Sequence, residues 1–342
     1  MLRLILIAGC VALFFPDASA QERYRIVSYN VENLFDTRHD PGKRDEEFTP
    51  SGRLHWTAFR YTDKLQKISR AVYAAGEGDY PAIVGLCEVE NGRVLADLVN
   101  KTLLAEADYG IVHQDSPDFR GIDVALLYRR SVFRVLGQRF ISVRSTQDTS
   151  FRTRDVLYVS GILKSADTLK QDTFHFFVCH FPSMSGGEMQ SEWKRKLAAS
   201  RVKQQVDSIQ CQNPRAAIVL MGDFNGKADR PALKTVLKTK SSDSRKLEDT
   251  RLYNTGYYLL NAATGSYKYK GEWQTIDHII VSGTLLNGSH TFQTEKRLKP
   301  YVADFLMEED KTYFGYKPWR TFYGPRYVGG YSDHLPVYLD IR

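Results

Sequence analysis

The chain has 342 residues, 42% hydrophobic and 25% charged, which excludes disordered, collagen-like and coiled-coil classes and leaves enough chain to bury a core. Lysine and arginine number 47 against 40 acidic residues, a net +7 that suits a polyanionic partner but is modest for this length.

In chain order, residues 1–20 read as a secretory signal peptide. Arg3 precedes the apolar run 4–15, then Pro16, then Ala18-Ser19-Ala20 before Gln21. The run is too short for a bilayer anchor, so the expectation is export to a periplasmic or extracellular space. Ile7-Ala8-Gly9-Cys10 also resembles a lipoprotein cleavage box, with lipid anchoring at Cys10 as the alternative. Apolar, β-branched or aromatic runs predict strands over 24–31, 82–87, 122–128, 132–143, 156–163, 173–180, 216–222, 276–282 and 335–341. Between them, Tyr61, Leu65, Ile68 and Val72 have helical spacing behind a cap at Thr62 or Asp63. Val94, Leu95, Leu98 and Val99 follow Asn91 as cap, a third helix is expected over 188–206, and Asp229-Arg230-Pro231 opens a short fourth. The stretch 313–332 reads as a long irregular loop rich in glycine, proline and rings. Without repeats or a break in composition, this predicts one α/β domain over 21–342. Its three cysteines, Cys87, Cys179 and Cys211, show no disulfide framework.

The polar residues of note sit where apolar strands end or begin: Asn30 and Glu32, Glu88 and Glu90, His180, Asp223 and Asn225, Asp277-His278, and Asp333-His334. A single strand-end carboxylate is ordinarily solvated or a cap; six such places along one chain suggest a site assembled at one sheet edge. Asp223 and Asn225, two apart, face the same way in extended chain.

The blocks Ser28-Tyr29-Asn30-Val31-Glu32-Asn33, Cys87-Glu88-Val89-Glu90-Asn91, Cys179-His180-Phe181-Pro182-Ser183, Gly222-Asp223-Phe224-Asn225, Ile276-Asp277-His278 and Ser332-Asp333-His334-Leu335-Pro336 occur in this order. In that order they resemble the endonuclease/exonuclease/phosphatase superfamily, the DNase I-like proteins. The resemblance implies a two-sheet α/β sandwich flanked by helices, four layers in all, and phosphoester hydrolysis dependent on Mg²⁺ or Mn²⁺. It implies Glu88 as the principal metal ligand with Asn30, and Asp333 in a second metal position or orienting its neighbours. It further implies Asp223 as the group that orients or deprotonates water, Asn225 as a phosphoryl hydrogen-bond donor, and His334 as base or charge stabiliser, its tautomer set by Asp277. His180 matches the histidine that assists the leaving oxygen, with Asp123 as the nearest candidate for its acidic partner. Hard oxygen donors for such a cation and a paired imidazole suit this chemistry on their own terms. Glu32 and Glu90 read as structural or peripheral, and His278 as a packing residue. Arg154 opens a strand as either a phosphate contact or a surface charge.

No zinc-type cysteine/histidine cluster, Gly-x-Ser-x-Gly elbow or glycine-rich phosphate loop competes with this reading. For substrate, the leading expectation is nucleic acid, above all DNA. It rests on the charge and on the cations and rings of 313–332, with Lys317, Trp319 and Arg320 as candidate contacts. The alternative for that loop is a lid held by its own aromatic packing. A phosphodiesterase acting on phospholipid headgroups or inositol phosphates is the second reading and a non-catalytic binding protein the third. No stable protein partner is inferred.

Overall fold

The computed structural model describes residues 23–165 and 171–342; the expected leader and Cys10 lie outside the described residues. In chain order the elements are β1 (Tyr24–Leu34), α1 (Ala58–Ala75), β2 (Ile83–Val89), α2 (Gly92–Asn100), β3 (Tyr109–His113), β4 (Asp123–Arg129), β5 (Phe133–Ile141), β6 (Val156–Lys164) and β7 (Gln171–His180). Then come α3 (Glu188–Gln212), β8 (Ala217–Asp223), β9 (Lys240–Ser241), β10 (Leu252–Asn254), β11 (Tyr267–Tyr269), β12 (Glu272–Gln274) and β13 (Asp277–Ser282). The last are β14 (Lys299–Pro300), β15 (Met307–Glu309), β16 (Tyr316–Pro318), β17 (Phe322–Tyr323), β18 (Arg326–Tyr327) and β19 (Val337–Ile341).

Two mixed sheets face one another. One has the order β14-β19-β1-β2-β4-β3 and the other β5-β6-β7-β8-β13-β10-β9. Their central strands are apolar on both faces, as strands covered on both sides must be. Ile26, Ile83, Leu126, Phe176, Val219 and Ile279 meet between the sheets. Val27, Val84 and Leu127 face α1 and α2, while Phe177, Ile218 and Ile280 face α3. The result is the expected helix–sheet–sheet–helix stack.

The structure moves several expected boundaries. The cap of α1 is Thr57, whose hydroxyl accepts from the Arg60 N–H at 3.4 Å, so Thr62 and Asp63 already lie inside the helix. Asn91 caps α2 as expected, accepting from the amides of Arg93 and Val94 at 3.0 and 3.1 Å. The buried stripe of α3 continues past Val206 to Ile209, so the helix runs to Gln212. After Pro231 the chain makes one wide turn, Ala232–Val236. The stretch 313–332 contains β16, β17 and β18, and buried Lys64 on α1 ties it down. The Lys64 ammonium donates to Thr321 Oγ1 at 2.6 Å and to the Tyr331 carbonyl at 2.5 Å. It is a strap fixed to the body rather than an irregular loop.

Candidate active site

Strand pairing sets the floor of the site. β7 and β8 run parallel with His180 opposite Asp223, and β13 runs antiparallel to β8 with Asp277 opposite the same Asp223. On the facing sheet, Asn30 of β1 lies beside Cys87 of β2. Near the ends of these strands the backbone turns through positive φ: Glu88 at 65°, where the β2–β4 register shifts, and Asn225 at 47°, with Gly222 at 134° just before Asp223. A Cβ at Gly222 would sit 1.9 Å from the Cys179 carbonyl oxygen, so only glycine lets β8 approach β7 here.

These turns gather the expected residues. The Asp223 carboxylate accepts from Asn30 Nδ2 at 3.1 Å, and its Oδ2 lies 3.9 Å from His334 Nε2 and 3.7 Å from His180 Nε2. His334 Nδ1 bonds Asp277 Oδ2 at 2.7 Å, which aims Nε2 at Asp223. The Asn225 amide N–H donates to Asp223 Oδ1 at 2.8 Å, and its side-chain nitrogen donates to the Phe181 carbonyl. Glu88 Oε2 accepts from the Asn33 amide at 2.9 Å, leaving Oε1 3.9 Å from His180 Nε2. Asp333 Oδ2 accepts from Arg320 at 3.1 Å, with Oδ1 3.9 Å from His334 Nε2. Glu88, His180, Asp223, Asn225, Asp333 and His334 line one cavity of about 750 Å³; Arg120, Arg154, Lys227 and Arg230 also line it, with Tyr267 and Tyr269.

The charges are set by burial and by each other. Burial and then the Asp277 charge push the Asp223 carboxyl up to about 7, partly opposed by His334. Burial resists charging His334, but Asp277, its hydrogen bond, Asp333 and Asp223 outweigh it and hold that imidazole well above its ordinary value. Burial, then Arg154, Arg120 and His334, hold His180 well below the ordinary value. The site therefore presents one charged and one neutral imidazole to the same carboxylate.

Asp223, Asp277 and His334 form a tight cluster of potential ligand atoms, yet the Asp277–His334 bond and the imidazolium charge make it a proton-handling group, not a cage for a cation. The donors that fit a hard divalent ion are the open oxygens Glu88 Oε1 and Asp333 Oδ1, with the amide oxygen of Asn30, which also accepts from the Glu32 amide at 3.0 Å.

A model of the Endonuclease/Exonuclease/phosphatase family matches residues 25–342. The chain belongs to that family. Its members are phosphoester hydrolases, generally dependent on a divalent metal. Similar solved structures include the catalytic domain of human Nocturnin with bound sulfate, 16% identical over 94% of each chain with a TM-score of 0.55. The D. rerio TDP2 complex with single-strand DNA product is 13% identical over 94% of this chain and 99% of that one, with a TM-score of 0.54. The mannosyl-6-phosphatase Bt3783 of Bacteroides thetaiotaomicron is 16% identical over 93% and 99%, with a TM-score of 0.53. At these identities the likeness establishes the fold. No curated protein matches the chain in sequence.

Other expected contacts need correction. Asp123 does not pair with His180: its Oδ1 accepts from the Ser116 amide at 3.0 Å, its Oδ2 lies 3.9 Å from His113 Nε2, and His180 Nδ1 has no hydrogen-bond partner among the described residues. Arg154 is no surface charge; it is buried against Asp118 and donates to the Phe181 carbonyl while lining the cavity. Trp319 packs beside Tyr331 on the α1 core with Lys67 over its ring, away from the cavity lining. Arg320 joins Glu32 and Asp333, and Lys317 lines an adjoining cavity of about 310 Å³. Glu32 is structural, accepting from the Thr321 amide at 2.7 Å, and His278 is buried between Asn254 and the Gly226 carbonyl. Sequence reasoning missed Arg120, which bonds Asn33 beside Glu88, and Tyr267, whose ring centroid is 4.9 Å from that of His334. Neither lies in a strand-end block, so no sequence signal marked it.

Proposed function

We propose that this protein is an exported phosphodiesterase that cleaves nucleic acid, DNA foremost, with Mg²⁺ or Mn²⁺. The observation that carries the hydrolytic reading is the Asp277–His334 pair at 2.7 Å facing Asp223 across a cavity that also holds His180 and Glu88. Asp223 positions a water and takes its proton as the new P–O bond forms. The His334 imidazolium, fixed by Asp277, neutralises charge growing on the phosphoryl oxygens, assisted by Asn225. His180, neutral and facing the same point, hydrogen-bonds the departing oxygen, which takes its proton from solvent water as the old P–O bond breaks. A divalent cation on Glu88 and Asp333, with Asn30, would supply Lewis-acid stabilisation of that phosphoryl charge.

A polynucleotide is favoured over a small ester by what surrounds the cleft. Arg120, Arg154, Lys227 and Arg230 line it, and beyond Asp333 the second cavity offers Tyr269, Tyr313 and Tyr323 with Lys270, Lys317 and Arg320. Cations follow a phosphate backbone and rings stack on bases. The neighbour bound to a single-strand DNA product supports the same reading, while the mannosyl-6-phosphatase neighbour keeps small phosphoesters as the alternative. Supercoiled plasmid, single-stranded DNA, RNA, sphingomyelin and inositol phosphates, assayed side by side with Mg²⁺ and Mn²⁺, test the proposal. Faster cleavage of nucleic acid supports it, and turnover of a lipid or inositol phosphate with plasmid left intact overturns it. Export is tested by N-terminal sequencing, which should begin at Gln21; lipid labelling at Cys10 would replace free export with anchoring.

A further inference from the structure

His113 ends β3, and Asp123 begins β4 on the other side of the hairpin. His113 is paired across the ladder with Ala125, so Asp123 lies diagonally across from it on the same face, and Asp115 follows two residues beyond His113. The three side chains converge: His113 Nε2 is 3.9 Å from both Asp115 Oδ1 and Asp123 Oδ2. That separation is too long for a hydrogen bond, and both His113 Nε2 and Asp123 Oδ2 are buried without a hydrogen-bond partner among the described residues. Two orphaned polar atoms aimed at one gap, beside a second carboxylate, call for an occupant that accepts electron pairs.

We infer that His113, Asp115 and Asp123 form a second divalent-metal site, of the nitrogen-plus-carboxylate class suited to Zn²⁺, at the base of the β3–β4 hairpin. A tetrahedral ion with bonds of about 2.0–2.2 Å holds its ligand atoms about 3.3–3.6 Å apart, so His113 needs to close on either carboxylate by only a few tenths of an ångström. The Ser116 amide, donating to Asp123 Oδ1, turns Oδ2 toward the gap as an orienting partner should. Lys43, the nearby ammonium, is committed to the carbonyls of Ser116 and Asp118 at 2.7 and 3.0 Å. The site is separate from the catalytic donors Glu88 and Asp333, since none of its three residues lines their cavity. It clamps the loop that carries Asp118, the partner of Arg154, and Arg120, which reaches Asn33.

Calorimetric titration of Zn²⁺ into metal-stripped protein, with Mg²⁺ in excess, tests this. The wild type should bind one equivalent, and Asp115→Asn and Asp123→Asn should each weaken it about tenfold or more, while Glu88→Gln leaves it in place. Zn²⁺ should also raise the thermal midpoint of the wild type and fail to do so in either variant. Asp115 is exposed, so its replacement leaves a folded protein even if Asp123→Asn does not fold. No binding by the wild type, unchanged affinity in Asp115→Asn, or loss of the equivalent in Glu88→Gln would each overturn the assignment.

Discussion

At Asp223, burial favours the neutral acid while His334 favours the carboxylate, and the balance leaves the group near 7. Removing either partner ends that balance. Asp223→Asn and His334→Ala should each lower kcat by about 10²–10⁴-fold with the circular dichroism spectrum unchanged. Glu88→Gln should instead move the Mg²⁺ titration to higher concentration before activity disappears; an unchanged titration would place the ion elsewhere. Outside the cleft, burial pushes Asp123 up to about 7 from an ordinary 3.8. A raised carboxyl pKa contributes stability that is complete below pH of about 4 and is lost as pH climbs through 7. In chelator, the wild type should therefore lose stability relative to Asp123→Asn between about pH 4 and 7, by on the order of 2–4 kcal/mol, and no further above it. Thermal melts of the two proteins across that range would check the sign. Much at this level was legible because strand ends in order carry their own signature. The place of Asp123 was not, since spacing along the chain says nothing of which carboxylate the β3–β4 hairpin turns toward His113.

The long strands and the α2 cap were legible because apolar runs and an Asn ahead of a periodic stripe are local signals. The α1 start was misjudged because Thr57 caps one turn before Tyr61, the first residue of the periodic stripe, and Asp63, a plausible cap by sequence, instead pairs with Lys67. β3 was overlooked as a five-residue edge strand with only two large aliphatic residues. The strap is the clearest case of long-range determination: among the groups that order 313–332 is Lys64, far away in sequence, whose amine burial lowers to about 8. Lys64→Met keeps the stem and deletes the donors, leaving Thr321 and the Tyr331 carbonyl unanswered. Stability should fall by about 1–3 kcal/mol. Limited proteolysis should then cut first within 313–332, and wild-type protection there would show that the rings and the contacts with Glu32, Asp63 and Lys67 hold the strap without Lys64.

Considered as one body, the protein places its chemistry where two sheets meet at one end and its substrate contacts on the turns and strap around that end. The +7 net charge hides this arrangement, since composition cannot say which cations flank the cleft. The structure also separates the three strap residues first expected to touch substrate. Trp319 serves the core, Arg320 is bound to Asp333, and Lys317 lines the second cavity with Lys270. A triple replacement would therefore mix packing, metal-site and binding effects. Lys270→Ala with Lys317→Ala is the cleaner pair, as neither lysine touches Asp223, His334 or Glu88 through a hydrogen bond or ion pair among the described residues. If a polynucleotide crosses this cavity, its Michaelis constant should rise. The slope of log affinity against log salt should also flatten by about one for each phosphate contact removed. Turnover of polynucleotide relative to bis-nitrophenyl phosphate, which is too small to span both cavities, should drop about tenfold at low salt, on the order of 1.4 kcal/mol. A ratio and a salt slope both equal to wild type would mean that substrate does not cross this second cavity.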